Sequence, residues 1–270
     1  MTEIFEVIRS RRSVRTFDGK KVDAALLDEL KEYAAAIQNP WNVSTEFVFM
    51  DAEEYGLSSP VLSGETMYIA VKVKKEAHAE EAAGYAFEKL MLKAVQMGLG
   101  TVWIGGTMKR ELFEKACDKK DDERMPCITP LGTPAKMSFK ETMMRKGVGA
   151  DKRLKKEQLF FEHDFDHPLH TSSSMIYEVL EAVRWAPSAV NKQPWRIVYR
   201  DGLYHFYEKQ TKGYISEDVG DMQRIDIGIA MAHFDLIAEA HGAATELVLA
   251  DPYLTLDEDT VYIASLKVIE

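Results

Sequence analysis

The chain has 270 residues, of which 46% are hydrophobic and 29% are charged, and its formal net charge is −10. This length supplies apolar material for one or two domains with a sizeable core. The negative charge argues against nucleic acid as the main partner, because a duplex binder needs a dense basic surface. A local basic cluster can still serve a small anionic ligand.

The cysteines and the N-terminus indicate a cytoplasmic protein. Cys117 and Cys127 fit neither a C-x-x-C motif nor a zinc-binding spacing, which favours a reducing compartment and leaves one disulfide as the alternative. Residues 1–6 carry acids where a signal peptide carries bases, and no apolar segment follows. No stretch approaches the roughly 18 consecutive apolar residues of a membrane span, so we expect no membrane contact.

Helices alternate with strands along the first half of the chain. The predicted elements are helices over 4–8, 26–37 and 87–97, and strands over 47–50, 67–73 and 101–104. The second half repeats this order. Residues 30–49 align without a gap on 180–199, at an offset of 180 − 30 = 150, and the helix before Gly98 matches the helix before Gly242. The pattern favours an internal duplication, although few of the aligned residues are identical.

An arginine cluster follows the first helix. Arg11, Arg12 and Arg15 place three guanidiniums within five residues, with Ser13 between them. Such charges repel one another unless an anion lies among them, and the arginine fork binds phosphate with two donors. The alternative is a solvated basic turn that complements the negative end of the first helix.

A stiff loop between a helix and a strand is the most specific motif. It has the sequence A-P-S-A-V-N-K-Q-P-W over 186–195, and its two prolines and serine hold backbone groups still against a planar ligand. Asn191 can both donate to and accept from the edge of a heterocycle. As a purely structural turn the loop would also make sense, since Pro187 ends a helix.

Glycines flank the strand predicted over 101–104. The order is helix, glycine, strand, glycine, which disfavours a Rossmann turn because that turn runs strand, glycine, helix. Gly105 and Gly106 at the strand end would let backbone N–H groups approach a flat ring, unless they form only a flexible junction. Further on, P-L-G-T-P over 130–134 and a charged stretch from Lys152 to Glu157 would by themselves be a surface turn and a linker.

Together these motifs resemble the nitroreductase family of flavoproteins. In the family these elements are an R-R-S-x-R-x-F start, an A-P-S-x-x-N-x-Q-P-W loop, G-L-G-x-x-W-I-G-G, then L-G-x-P and a late K-R, and the similarity covers essentially the whole chain. The resemblance implies an α+β fold of two fused pseudo-subunits, 1–155 and 156–270, each with a central, mostly antiparallel sheet flanked by helices. Family members are usually intertwined homodimers with FMN at the subunit interface.

The motifs are divided between the two halves of this chain. The first half carries the arginine cluster but has I-Q-N-P-W over 37–41, where the second half has its intact loop. At the offset of 150, the arginine cluster would correspond to the acidic segment 161–165, which would repel a phosphate. The first half has lost the loop motif and the second half has lost the arginine cluster, and a single site between the halves needs neither of these copies. We therefore expect one complete flavin site and one dead site.

The resemblance implies FMN as the cofactor and assigns its contacts. Arg11, Ser13 and Arg153 would hold the phosphate and ribityl chain, and Arg12 or Arg15 would lie near the pyrimidine edge. The full set of expected cofactor-binding residues is Arg11, Arg12, Ser13, Arg15, Ile104, Gly105, Gly106, Arg153, Pro187, Ser188, Ala189 and Asn191. Because the flavin supplies the hydride chemistry, no side chain is expected to be catalytic.

The implied activity is oxidation of NAD(P)H with reduction of small acceptors such as nitroaromatics or quinones, in ping-pong turnover. One alternative is an FMN-binding carrier or sensor without reductase turnover. Another is metal binding by three histidines and two aspartates within 163–170, whose spacing matches no zinc pattern. Since a fused chain completes its own site, we expect a monomer.

Overall fold

The computed structural model describes residues 1–269. The helices are α1 (Glu3–Ser10), α2 (Ala24–Ala36), α3 (Ala79–Gln96), α4 (Arg110–Ala116), α5 (Phe139–Gly147), α6 (Ser174–Trp185) and α7 (Met222–Ala240). The strands are β1 (Thr45–Asp51), β2 (Met67–Lys74), β3 (Glu123–Arg124), β4 (Ile128–Leu131), β5 (Phe160–Glu162), β6 (Trp195–Arg200), β7 (Leu203–Lys209), β8 (Ile215–Ser216), β9 (Gly220–Asp221), β10 (Ala244–Val248) and β11 (Thr260–Ile269). Runs of helices and strands follow one another, and all but one of the strand pairings among residues 1–269 are antiparallel, so the α+β class is confirmed.

Each half builds its own sheet, and the sheets are mostly antiparallel as expected. In the first, β2 pairs with β1 along its whole length, from Met67 opposite Asp51 to Val73 opposite Thr45, and also with β3 and β4. The second sheet has the order β10-β11-β7-β6-β5. Only its edge strand β5 runs parallel to its neighbour, with Phe160 opposite Ile197.

Helices α3 and α7 form the centre of the molecule, between the two sheets. Both are buried almost all around, and the rings of Phe87, Trp195, Phe206 and Phe234 are fully buried. A fully buried aromatic or aliphatic side chain contributes roughly 1.5–3 kcal/mol, so this layer carries much of the stability. None of the helices within 1–269 combines the length and apolarity needed to cross a membrane.

The crossing of α3 and α7 shows the internal duplication in three dimensions. A Cβ on Gly84 would come within 2.0 Å of the Ile225 carbonyl oxygen, and a Cβ on Gly228 within 2.0 Å of the Glu81 carbonyl oxygen. Adding 144 to the residue numbers of one helix gives the equivalent residues of the other, because 228 − 84 = 144 and 225 − 81 = 144. Each contact is thus the counterpart of the other. The same offset relates Gly98 to Gly242, as the sequence alignment requires. Reciprocal contacts of this kind characterise a two-fold interface.

Two sequence-based assignments are wrong in detail. Residues 101–104 form no continuous strand, since only isolated bridges join Thr101 to Ser13 and Ile104 to Ile128. The segment 161–165 is not a structural counterpart of the arginine cluster. It begins within β5, whose parallel pairing with β6 belongs to the second sheet, whereas the arginines follow a helix. An alignment at fixed offset cannot detect that the connecting segment supplies a strand of its own.

Candidate functional site

The arginine cluster is fixed in place by backbone pairing. Arg11 caps α1, and the segment beyond it runs beside the glycine-flanked segment of the same half. Ser13 bridges Thr101 in parallel, and the Val14 N–H donates to the Thr101 carbonyl at 2.9 Å. Val14 and Phe17 are buried, which anchors the segment while the arginine side chains leave it.

Arg11 and Arg153 bring two buried, incompletely bonded guanidiniums into one region. Nε and Nη1 of Arg11 and Nε of Arg153 are buried and have no hydrogen-bond partner within residues 1–269. Burial lowers the pKa of Arg11. Burial, and next the positive charge of Arg11, lower the pKa of Arg153 to about 10. Buried donors without partners are costly, so this pair fits an anion such as a phosphate.

Arg12 and Arg15 have different environments. Arg12 Nη1 lies 3.2 Å from Oε1 of Glu141, a buried residue of α5, and the Thr16 hydroxyl donates to the other carboxylate oxygen at 2.9 Å. Arg15 makes no salt bridge within the described part of the chain, and burial lowers its pKa. Of these two arginines, Arg15 is therefore the one whose guanidinium is available to bind a negatively charged group of a ligand.

The loop of the second half reaches across to the first half. The Asn191 side-chain amide donates to the carbonyls of Gly149 at 2.8 Å and Lys152 at 3.0 Å, and its oxygen accepts from Arg153 at 3.4 Å. The Gln193 side chain accepts from the Leu154 N–H at 2.8 Å. These bonds hold the segment carrying Arg153, so Asn191 acts here by positioning that arginine.

Backbone strain marks the same loop. Val190, Asn191 and Gln193 have φ values of 50°, 57° and 52°, in the left-handed region that ordinary residues rarely adopt. The Ser188 hydroxyl accepts from the Gln193 N–H at 2.8 Å and helps to hold this shape. Pro187 is half-buried where the loop leaves α6. Strained backbone that persists in a folded protein is commonly found at functional sites.

The ring end of the expected site joins the two halves through α7. The Ala189 N–H lies 3.1 Å from each carboxylate oxygen of Asp226, which burial gives a strongly raised pKa. One turn earlier on α7, Met222 lies so close to Gly105 that a Cβ there would come within 3.0 Å of its Cε. Gly106 is exposed, with nothing within 4 Å of such a Cβ, whereas Ile104 is buried and pairs with Ile128.

Most of the residues expected to bind a cofactor therefore lie along the contact between the halves. Arg11, Arg153 and Asn191 form one end, and Gly105 and Ala189 meet α7 at the other. Sequence reasoning missed Glu141 and Asp226. Each is an acidic residue on a helix, but nothing in the sequence alone distinguishes a buried carboxylate from an exposed one.

The histidine-rich segment is not assembled as a metal centre. His163 is exposed, and Nδ1 of His167 lies 2.6 Å from Asp164. Within residues 1–269, no group of three or more His, Cys, Asp or Glu side chains is arranged to hold a metal ion.

Comparison with known proteins identifies the family. A family model described as "Putative TM nitroreductase" matches residues 3–238. A solved structure of a "putative nitroreductase" from Thermotoga maritima MSB8 superposes with a TM-score of 0.62 at 22% identity, over 98% of this chain and 93% of that one. It shows the shared fold along nearly the whole chain. No curated protein sequence matches.

Smaller nitroreductases match about half of the chain. An FMN-dependent nitroreductase from Clostridium difficile R20291 has a TM-score of 0.43 at 18% identity, over 49% of this chain and 88% of that one. A "Putative NADH dehydrogenase/NAD(P)H nitroreductase" from Bacteroides thetaiotaomicron VPI-5482 has a TM-score of 0.44 at 21% identity, over 51% and 90%. On the strength of the family model, this chain belongs to the nitroreductase family.

Proposed function

We propose that the protein is an FMN-dependent NAD(P)H oxidoreductase with one flavin site, formed between its two halves. The donor would be NADH or NADPH, and the acceptors would be small molecules such as nitroaromatics or quinones. The observation that carries the proposal is the pair of buried guanidiniums of Arg11 and Arg153, whose free donors fit the phosphate of FMN. Membership of the nitroreductase family and the FMN named for its relatives support the cofactor.

Each half contributes a different part of the proposed site. The first half, 1–155, supplies Arg11, Ser13 and Arg153 for the phosphate and ribityl chain, and Arg12 or Arg15 for the pyrimidine edge. The second half, 156–270, supplies Pro187, Ser188 and Ala189, which would cover the ring. A backbone N–H at Gly105 or Gly106 would face the ring's reactive nitrogen.

When bound, FMN would supply the hydride-transfer chemistry, and the protein would supply orientation and charge. The cation at Arg15, which no salt bridge within 1–269 neutralises, would stabilise negative charge at the pyrimidine edge. Glu141 holds Arg12 in a fixed position beside it. None of these side chains must gain or lose a proton, so we name no catalytic residue.

The opposite side of the molecule supports one site rather than two. A groove of about 720 Å³ is lined there by Gln38, Asn39 and Pro40, which stand at the place of the second half's loop. Three acids, Asp235, Glu239 and Glu246, also line this groove, against one cation, Lys89. Carboxylates in that position repel a phosphate. Because the proposed site would be complete within one chain, we propose a monomer, and the free cysteines Cys117 and Cys127 support a reducing compartment such as the cytoplasm.

Steady-state kinetics test the proposed reaction. In ping-pong turnover the donor leaves before the acceptor binds, so double-reciprocal plots at several quinone concentrations would be parallel. Intersecting lines would show a ternary complex and contradict this order. FMN binding without any NAD(P)H oxidation, for quinones and nitroaromatics alike, would leave a carrier or sensor as the function.

A further inference from the structure

A buried carboxylate cluster lies beside the proposed flavin site. The guanidinium of Arg224 on α7 lies 3.3 Å from Glu81, 3.8 Å from Glu208 and 4.0 Å from Asp221. Glu81 and Glu208 are 0% and 1% exposed, whereas the Arg224 side chain is 34% exposed and so reaches solvent. One cation thus faces three carboxylates in a largely dry environment.

The cluster contains oxygens that nothing in the described structure satisfies. Both carboxylate oxygens of Glu208 and Oε2 of Glu81 are buried and have no hydrogen-bond partner within 1–269. An ionised carboxylate left buried without partners costs several kcal/mol, and it escapes that cost by binding a proton. The geometry therefore calls for at least one proton within the cluster.

Asp226 connects the cluster to the proposed site. It lies one turn beyond Met222 on α7, is 4% exposed, and receives the Ala189 N–H of the second half's loop on its two oxygens. Met222 meets Gly105 of the first half. Asp226 therefore contacts one of the two backbone segments that are proposed to contact the flavin ring, and Met222, one turn away on α7, lies against the other.

Burial of these carboxyl groups moves their pKa values upward, toward neutral pH, where a proton can be both taken up and released. Burial, and next the charge of Asp221, raise the pKa of Glu208 to about 7, and burial raises the pKa values of Asp221 and Asp226. The other titratable or charged groups that face the cluster come from several segments. They are Glu80 and Glu81 from α3, His78 just before α3, Arg224 from α7, Tyr214 from the segment before β8, and Cys127 from the segment before β4. Among them, Arg224 favours the ionised carboxylates and Glu81 opposes ionisation.

We propose that Asp226 and Glu208, with Asp221, form a proton store. The store takes up a proton when the flavin is reduced and releases it when the acceptor is reduced. This inference rests on the proposed function. Delivery of the donor's hydride adds one negative charge at the site, and a proton from solvent forms an O–H bond on a carboxylate of the cluster. When the acceptor takes the hydride, that O–H bond breaks and its proton returns to solvent, from which the reduced acceptor takes the proton of its own new O–H bond. One proton and one hydride are thereby consumed per turnover.

Coupling of this kind is reciprocal. If reduction favours protonation of the cluster, protonation must favour reduction by the same factor. Because the interaction is electrostatic and acts in a dry region, it requires no direct contact between the carboxylates and the acceptor. Asp226 and Glu208 therefore act on the reaction through their charge and are not catalytic residues.

Proton uptake measures the store directly. FMN-loaded protein in weakly buffered solution near neutral pH is reduced anaerobically with NADPH, and an indicator dye reports the protons taken up per FMN. We expect the Asp226→Asn, Glu208→Gln double variant to lose at least half of the uptake shown by the unaltered protein. The amide oxygen introduced by Asp226→Asn can still accept the Ala189 N–H, so the loop keeps its bond. Asp235→Asn, a change of a buried carboxyl elsewhere on α7, should leave the uptake unchanged.

A second readout needs no flavin. Infrared titration of the FMN-free protein should show a protonated carboxyl band near neutral pH that is absent from the double variant and present in Asp235→Asn. Equal proton uptake in the double variant and the unaltered protein would overturn the inference, and so would the same infrared band in both proteins. Failure to bind FMN would overturn the proposed function instead, and the infrared result would still decide whether the cluster holds the proton.

Discussion

Glu88 and His233 form a fully buried pair between α3 and α7. Oε1 of Glu88 lies 2.9 Å from Nε2 of His233, and both side chains are 0% exposed. The opposite nitrogen, Nδ1, lies 2.9 Å from the Ala182 carbonyl, which can only accept, so Nδ1 carries hydrogen and the pair shares one proton between Nε2 and Oε1. Trp103 donates to the other oxygen of Glu88 at 2.8 Å. The pair thus joins the halves next to the segment that carries Gly105.

Removing one member of this pair should be strongly destabilising. His233→Ala leaves the Glu88 carboxylate buried without its partner, and we expect a loss of about 3–5 kcal/mol in the free energy of unfolding. Urea denaturation measures it. In the double-mutant cycle, adding Glu88→Gln to His233→Ala should recover part of the loss. A loss below about 1 kcal/mol for His233→Ala would mean that the pair contributes little.

Gly84 should tolerate no side chain. In Gly84→Ala the new methyl would come within 2.0 Å of the Ile225 carbonyl oxygen, so α3 and α7 must separate. We expect a loss of at least about 2 kcal/mol in the free energy of unfolding. Gly147→Ala is the matched control, because nothing lies within 4 Å of its Cβ position. Equal stabilities of the two variants would contradict the close helix crossing.

Arg11 and Arg153 should recognise the phosphate specifically. Riboflavin has the same ring as FMN but no phosphate, so the unaltered protein should bind FMN more tightly than riboflavin. Each guanidinium contributes charge-assisted hydrogen bonds worth roughly 1.5–3 kcal/mol, so Arg11→Ala or Arg153→Ala should weaken FMN binding by at least about tenfold. Riboflavin binding should change much less. Fluorescence titration measures both affinities.

A charge control separates local from general effects in that experiment. Arg200 lies at the end of β6 beside Asp201, and Arg200→Ala should leave both affinities unchanged. If the Arg11 and Arg153 variants weaken FMN and riboflavin equally, these arginines do not contact the phosphate.

Asn191 should act through the segment that it holds. In Asn191→Gly the backbone keeps its left-handed conformation without strain, while the bonds to Gly149, Lys152 and Arg153 are lost. We expect faster protease cleavage within 149–155 and weaker FMN binding. Lys192→Ala, a change of the exposed neighbour, serves as the control. Unchanged cleavage together with weaker FMN binding would instead indicate direct contact between Asn191 and the ligand.

The buried Glu208 should make stability depend on pH. Its pKa rises from 4.5 to about 7 on folding, so between these values the folded chain keeps a proton that the unfolded chain has released. The contribution to stability is therefore full below about pH 4.5 and is lost as the pH rises through 7. The free energy of unfolding of the unaltered protein should therefore fall as the pH rises from about 4.5 to 8. In Glu208→Gln this fall should be smaller by about 2–3 kcal/mol.

Chemical denaturation at a series of pH values checks this sign. Glu239→Gln changes an exposed acid on α7, away from Glu208 on β7, and should follow the unaltered protein. A parallel pH dependence for Glu208→Gln would show that Glu208 is ionised in the folded state.

The sequence predicts the elements and the polypeptide segments of the candidate site well. Apolar spacing locates α1, α2, β1 and β2, and the sequence motifs indicate the family that the comparisons confirm. Local patterns suffice there because helix and strand periodicity is set by nearby residues. The segment 101–104 has the composition of a strand but forms only isolated bridges, since its neighbours come from distant parts of the chain.

The carboxylates of the site escape sequence reasoning for a related reason. Glu141, Asp226 and Glu208 are buried through contacts between segments far apart in sequence, and an acidic residue alone predicts a solvated surface. The actual contacts of Asn191 are likewise hidden from the sequence, because they join its loop to residues 149–154 of the other half. The sequence indicates the duplication only through a weak alignment with few identical residues. The reciprocal contacts of Gly84 and Gly228 establish it in three dimensions.

The amount of FMN bound per chain tests the central claim most directly. Protein saturated with FMN, freed of excess and then denatured, should release about one FMN per chain, and Arg11→Ala should release markedly less after the same washing. Two FMN per chain would contradict the single site formed between complementary halves. Absence of any bound flavin after incubation with FMN would contradict the flavin site itself.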